Sequence, residues 1–559
     1  MSMEGGFDIE HDGKESQREW VKDGSVDLKG SPVSYSATGR WNAAFFIMGV
    51  EMGERLAYFT IAASLFTYLT NVMYQGVAAS AETVNIWSGV TSILPLVGGF
   101  LSDAYVGRYY MIIISSLVYL SGLALLIVSV SISSLSPHSP PNMQNHATGT
   151  QIAVLFTALY MISCGSGGMK PSLLSLAADQ FDYQHPDESK QKISFFNWYF
   201  FFMALAILMS NTVIVYVQGN VSWGAGFGIV ASVSFIAVII FLFGTRKYRH
   251  RIPAGSPITR IAQVLVAAFR NRNLRVRVEP NNPNRNDFRC LDKAAIGEEE
   301  HCNKDPWKAC TGRQVEEVKQ VARMLPMWLT VIIYSVTLAQ GGTFFVKQSS
   351  TMDRSLGPHF SIPPASTLAI VIIATLIAVS AYDRLLVPIA ARITGMERGI
   401  SILQRIGAGL VFLILAMVIA ALVEAKRLKI AQAHGLMDKP QAVVSMSVFW
   451  LALPNVVLGI ADAFALVGLQ EFFYSQVPDS MRSLGVASNL TANGIGSFVS
   501  SLVIHIVNSV TGKMGHRWLL DNLNTSRLDK FYWLLVALNA LNLLAFIFTA
   551  RRYRYKSLT

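Results

Sequence analysis

Charge is what this sequence has least of. Only 14% of its 559 residues are Asp, Glu, Lys or Arg, where soluble domains carry about a quarter. A water-facing surface could not be covered at that level, so a soluble enzyme is excluded. With 52% apolar residues and a mean hydropathy of +0.40, a mainly disordered chain and a fibrous one are excluded too. Cysteine is scarce: Cys164, Cys290, Cys302 and Cys310 have neither disulfide nor zinc-finger spacing. No Gly-x-x-x-x-Gly-Lys-Ser/Thr loop is present, which excludes an ATP-driven pump. No Ser/His/Asp set or metal-ligand cluster appears, so neither an enzyme nor a resident cofactor is expected. His505 stands alone in an apolar stretch and reads as a packed or pore-lining histidine. The polar, acidic start has no signal-peptide pattern, which leaves insertion to the first hydrophobic helix.

What is present is a series of apolar blocks of about 20 to 28 residues, the length a bilayer core demands of a helix. They fall near 42–66, 84–104, 109–131, 151–174, 194–218 and 224–245, then near 325–345, 365–389, 403–424, 444–470, 489–510 and 530–550. The expected fold is an all-α polytopic membrane protein. It would comprise a tail (1–41), six helices (42–245), a polar linker (246–324), six more helices (325–550) and a second tail (551–559). The net charge of +11 is a topology signal. Stretch 246–313 holds fifteen Lys and Arg against seven acids, and the end carries Arg551, Arg552, Arg554 and Lys556. Both tails and the linker are therefore expected in the cytosol. Lys426, Arg427, Lys429 and Lys439 break the pattern, since they fall in a presumed outer loop. Nucleic acid is not an expected partner, because no basic patch with interleaved aromatics lies outside the spans. Within the linker, Ile258, Ile261, Val264, Leu265 and Phe269 recur at helical spacing. They predict an amphipathic helix along the inner membrane face that braces the two halves.

Ionisable groups inside spans each cost about 2.5–3.5 kcal/mol on insertion scales, so each needs a reason. The first span carries Glu51, Glu54, Arg55 and Tyr58. At ~100° per residue these lie near 0°, −60°, +40° and −20°, one narrow face. Two carboxylates meeting one guanidinium cannot cancel. Span four carries Lys170 in Gly165-Ser166-Gly167-Gly168-Met169-Lys170-Pro171, with Pro171 expected to break the helix beside the charge. Span ten carries Asp462 at similar depth, a natural partner for Lys170 across the halves. Glu471, about 14 Å further on, falls at the cytosolic rim. Three acids and two bases sum to −3 + 2 = −1. A cluster neutral only when it holds one extra proton suits proton-coupled transport.

Glu51-x-x-Glu54-Arg55 together with Gly165-x-Gly167-Gly168-x-Lys170-Pro171 resembles the proton-dependent oligopeptide transporter family, and most its plant nitrate/peptide transporter branch. Ala178-Asp179-Gln180-Phe181, Leu403-Gln404-Arg405-Ile406-Gly407 and Glu471-Phe472-Phe473-Tyr474 support the likeness. Gly98-Gly99-Phe100-Leu101-Ser102-Asp103-Ala104-Tyr105-Val106-Gly107-Arg108 resembles the loop between spans two and three of the major facilitator fold. A degenerate echo begins at Tyr382-Asp383-Arg384.

The resemblance implies twelve transmembrane helices in two six-helix halves, and a proton symporter working by alternating access. Glu51, Glu54 and Arg55 would handle the proton. Lys170 would pair with Asp462, where Glu is more usual, and line the substrate site with Tyr58. Asp103 and Arg108 would lock a cytosolic gate. The implied partners are a small-molecule substrate, protons and lipid, the protein is expected to be a monomer, and the plasma membrane is favoured over the vacuolar one. The substrate range implied is nitrate, peptides, hormones and glycosylated metabolites. Leu338 stands where the nitrate type has His, Ala204 where the peptide type has Asn, and Tyr58-Phe59 where Tyr-Tyr is usual. An organic solute larger or less polar than nitrate is therefore favoured. The competing expectation is a membrane receptor or sensor that keeps the fold without transport.

Overall fold

A computed structural model of the chain describes residues 21, 24–35, 37–132, 147–182, 185–251, 257–274, 288–296, 307–358, 360–395, 400–440, 442–477 and 482–553. Within these, the side chains at 186, 189, 193, 197, 257, 394, 474, 482–484 and 486 are not described. Most of the first tail, most of the 134–149 loop, Cys302, Arg554, Lys556 and the Asn197 side chain thus lie outside the described residues.

Eleven helices among the described residues are long and apolar enough to cross a bilayer: Val77–Val106, Arg108–Ser131, Gly149–Ala178, Lys190–Asn220, Trp223–Phe243, Gly312–Ser350, Pro364–Ile393, Ile402–Ala433, Val448–Phe473, Ala487–Lys513 and Leu528–Arg552. Helix Arg40–Asn71 precedes them and becomes the first of twelve spans. Its 32 residues reach about 48 Å; the charges from Glu51 to Arg55 lower its hydropathy. Three spans open on one local device. Thr148, Thr311 and Ser401 each accept from the backbone N–H three residues on, and Gln151, Gln314 and Gln404 reach back to the cap.

The halves repeat each other. Spans three and four, two and four, one and five, and one and six pack together in the first half. Spans nine and ten, eight and ten, seven and eleven, and seven and twelve do so in the second. Span two ends in a π-helical turn, Ser102–Val106, and span eight has one at Tyr382–Leu386 before its last helical turns. One ion pair is repeated as well. Arg108, at the start of span three, bonds Asp179 at the end of span four; Arg405, at the start of span nine, lies 3.6 Å from Glu471 at the end of span ten. This is the pattern of two related six-helix units.

The halves meet on the side away from the linker. Spans two and eleven pack there so closely that a Cβ on Gly89 would sit 3.0 Å from the Gly494 carbonyl. Asn85 donates to Ser500 at 3.0 Å, and Gln340 of span seven donates to the same hydroxyl at 2.9 Å. Asp521, in the loop before span twelve, accepts from the Val77 N–H at 2.7 Å. It thereby caps span two, whose own N-cap is the side-chain-free Gly76. His505 is exposed and lies 3.6 Å from Glu82 of span two, which excludes the packed alternative of the two expected and not the pore-lining one.

Several boundaries differ from expectation for identifiable reasons. Span seven begins at Gly312, because its first turns bury Val315, Val318 and a Lys319 that pairs with Asp292 at 2.6 Å. Val444–Ser447 is a strand (β2) pairing in parallel with Met352–Asp353 (β1), and its buried–exposed alternation fits that period. Pro171 does not break span four, which runs on to Ala178. The carbonyl four residues back, on Gly167, packs against Gly98, where any Cβ would approach to 2.3 Å. The linker helix Pro257–Arg270 buries Val264 and Ala267 against Lys293–Ala295 and the starts of spans seven and eleven. It therefore packs on the second half, where a brace between the halves had been expected.

Part of the first tail is structured. Val26 bridges Pro32 and His250, and Tyr35 donates to Asp182. Glu188 accepts from Arg249 at 2.7 Å and from Arg40 at 2.7 Å, with the Glu188 and Arg249 side chains fully buried. This strap binds the start of span one to the ends of spans four and six.

Candidate functional site

Span one brings its charges to the middle of the first half. Glu51 and Glu54 are buried, at 2% and 1% exposure. Arg55 Nε lies 2.7 Å from Glu51 Oε1 and 3.8 Å from Glu54 Oε2. The helical arithmetic placed these residues on one face, and the i,i+4 pair follows from it. Span four faces them with Lys170, whose Nζ lies 3.5 Å from Glu54 Oε1. The same ammonium sits over the Tyr58 ring at 3.7 Å, and Tyr58 stacks on Trp87 with centroids 5.6 Å apart. An aromatic floor thus holds the cation one turn along from the carboxylate.

The pairing of Lys170 with Asp462 is a correction. In this conformation Lys170 pairs with Glu54, and Asp462 Oδ1 accepts from the Tyr334 hydroxyl at 2.6 Å. Spans four and ten belong to different halves, which join on the side away from the linker, so a first-half acid is nearer to Lys170. The charge count sharpens accordingly. Glu51 with Arg55 and Glu54 with Lys170 make two neutral pairs, and the excess negative charge is Asp462. No ion pair among the described residues includes it.

Each span-one carboxylate is only half satisfied. Glu51 Oε2 and Glu54 Oε2 are buried without a hydrogen-bond partner, while their Oε1 atoms accept from Arg55 and Ser166. A buried acceptor left open in this way is costly in a purely structural network. Protonation would remove the buried charge and with it most of that cost.

Ser166, Tyr199 and Tyr334 escaped the sequence reading. Ser166 donates to Glu54 Oε1 at 2.6 Å, and Tyr199 of span five lies beside Glu51 and Arg55. The first was visible in principle, since it precedes Lys170 by four residues and shares its face. The tyrosines left no signal beyond a hydroxyl in an apolar span. Asp103 and Arg108 lie 3.2 Å apart, and Arg108 also bonds Asp179, which accepts from Arg251 at 3.2 Å. This cluster ties spans two, three and four to the end of span six, all within the first half.

Residues 109–520 match the model of the POT family, PTR2. The chain belongs to that family. Among relatives of this POT-family chain, Protein NRT1/PTR FAMILY 5.7 of Arabidopsis thaliana is 43% identical, covering 98% of this chain and 94% of its own. Protein NRT1/PTR FAMILY 5.4 of Arabidopsis thaliana is 41% identical over 94% of this chain and 97% of its own. An auto-inhibited POT family peptide transporter superposes with a TM-score of 0.69 at 19% identity, covering 92% of this chain and 98% of that one. The POT family transporter PepTSo gives the same score over 91% and 98%. These likenesses show a transporter family and the twelve-helix major facilitator fold.

Proposed function

We propose that this transporter is a proton-coupled symporter working by alternating access, with a small organic solute as its substrate. The observation that carries the reading is the half-satisfied pair of buried carboxylates, Glu51 and Glu54, one of them also bound by a lysine that can leave it. Protonating Glu54 removes its charge, frees Lys170 for substrate, and leaves Oε2 a neutral group that costs less to bury. Proton binding and substrate binding are thereby linked through one ammonium. The linker side is cytosolic on charge grounds, so the closed seam at spans two and eleven faces outward and the conformation is inward-facing.

Relatives named for nitrate and peptide transport give the substrate range. A lone inorganic anion gains little here, because Asp462 on the other half sets a negative charge against the freed Lys170. An organic solute offering a hydrogen-bond donor to Asp462 fits better. The plasma membrane is the favoured location, with the vacuolar membrane as the alternative, and the protein acts as a monomer. Uptake into proteoliposomes, screened over nitrate, dipeptides, hormones and glycosides, tests the reading. One solute should accumulate when the outside is acidic, and E54Q should lose that dependence. Uptake indifferent to the pH gradient for every solute transported contradicts it.

A further inference from the structure

We infer that Ser166 is a positioning residue that sets the proton affinity of Glu54. The inference rests on the proton-coupling reading above and assigns a task within it to a neutral residue that bonds Glu54 directly.

Two donors from span four reach the same oxygen. Ser166 Oγ is 2.6 Å from Glu54 Oε1, within the range of an O–H donating to a carboxylate, while Lys170 Nζ is 3.5 Å away. The shorter contact belongs to the neutral group. The two residues stand one turn apart on the face of span four that meets span one, so they act as a fixed donor and a movable one. The serine hydroxyl hangs on a single methylene from a backbone that cannot withdraw, because Gly168 two residues on packs so closely against Ser115 that it leaves no room for a Cβ. The lysine ammonium ends a chain of four methylenes and also rests on the Tyr58 ring, so it can swing away without moving the helix.

The other groups facing Glu54 do not substitute for Ser166. Arg55 is engaged by Glu51, and its nearest approach to Glu54 is 3.8 Å. Tyr119 of span three donates to the Glu54 backbone carbonyl, at 3.3 Å, and not to its carboxylate. Tyr199 of span five addresses Glu51 and Arg55. Ser234 of span six bonds the Gly53 carbonyl. Once Lys170 leaves, Ser166 is the hydrogen-bond donor that remains on the Glu54 carboxylate. A donor to the ionised form favours it. Ser166 would thus keep Glu54 from taking a proton too readily and let it release that proton in the inward-facing state.

The test is an infrared pH titration of the full-length protein in liposomes, with the Glu54 carboxylic-acid band assigned by its loss in E54Q. In S166A that band should titrate with about tenfold higher proton affinity, a midpoint roughly one pH unit more alkaline. S166C, with a weak donor of similar size, should move the same way and guards against a folding defect in either variant. Gradient-driven uptake should shift its pH dependence in the same direction. A Glu54 band unmoved in both variants overturns the inference, as does the lack of any Glu54 band. Wild-type uptake indifferent to the gradient, combined with a shifted band, would defeat the symport reading while leaving Ser166 its role.

Discussion

Replacing Arg427 by methionine exposes how the anomalous positive charge in the second half is held. Span nine extends to Ala433, so Arg427 lies in the helix and not in a loop. Its guanidinium meets Glu424 through Nε and Nη2 at 2.9 and 2.8 Å, and both side chains are fully buried. It also donates to Asn524 Oδ1 at 2.7 Å and to the Leu523 carbonyl at 2.8 Å, while Gln348 donates to Glu424 at 2.7 Å. In R427M the Glu424 carboxylate stays buried with its cation gone. Removing one partner of a buried pair costs about 3–5 kcal/mol, and at 2–4 °C per kcal/mol for a half of this size the melting temperature should fall by about 6–20 °C. The assay is thermal unfolding in detergent, run beside E424Q and the double variant. E424Q/R427M should be less damaged than the sum of the singles, because it strands no charge. A melting temperature for R427M within about 2 °C of wild type would refute the reasoning. So would strictly additive losses.

Gly168→Ala should separate spans three and four, since the new Cβ would meet Ser115 Oγ at 2.0 Å; a loss of about 1–3 kcal/mol is expected, and unfolding within error of wild type would contradict it. Asp521→Ala removes the cap that crosses between halves and should shift the balance toward opening on the span two–eleven side by about 2- to 30-fold. Spin-label distances between the outer ends of those spans report the shift, and an unchanged distribution would count against the latch. The strap over residues 24–35 and 37–39 should loosen on acidification in two steps. Burial lowers His250 below its ordinary 6.5, so the folded state favours the neutral ring and the hold weakens as pH falls below that value. Burial raises Glu188, but hydrogen bonds from Arg249, Arg40 and the Asp182 N–H outweigh it, so its hold is complete above the ordinary 4.5 and fails as pH falls through the lower folded-state value. Hydrogen-exchange protection in the strap that does not change with pH would exclude both.

The architecture was legible because bilayer thickness imposes one length on every span, and the charged residues stood out against apolar runs where each is expensive. Glu51, Glu54, Arg55 and Tyr58 could be assigned to one face by angle alone. Their partners could not, since which span faces which is a tertiary fact. Lys170 reaches Glu54 and not Asp462 because the halves are joined away from the linker in this conformation, and spacing along a helix carries no information about that. The same limit hid Asp521, whose partner lies 444 residues away. It also hid the Arg427–Glu424 clamp, which looked like a violation of the topology rule until the length of span nine resolved it. The strand at Val444 was missed for another reason: a short apolar run beside a span takes on that span's periodicity.

The central claim is that protons cross with the solute, and substrate-driven proton entry measures it most directly. Proteoliposomes containing the transporter and a pH-sensitive dye, starting at equal pH on both sides, receive a transported solute outside. Acidification of the lumen in wild type, abolished in E54Q while solute exchange persists, is the predicted result. Solute entry at the wild-type rate with no change in lumenal pH would contradict it.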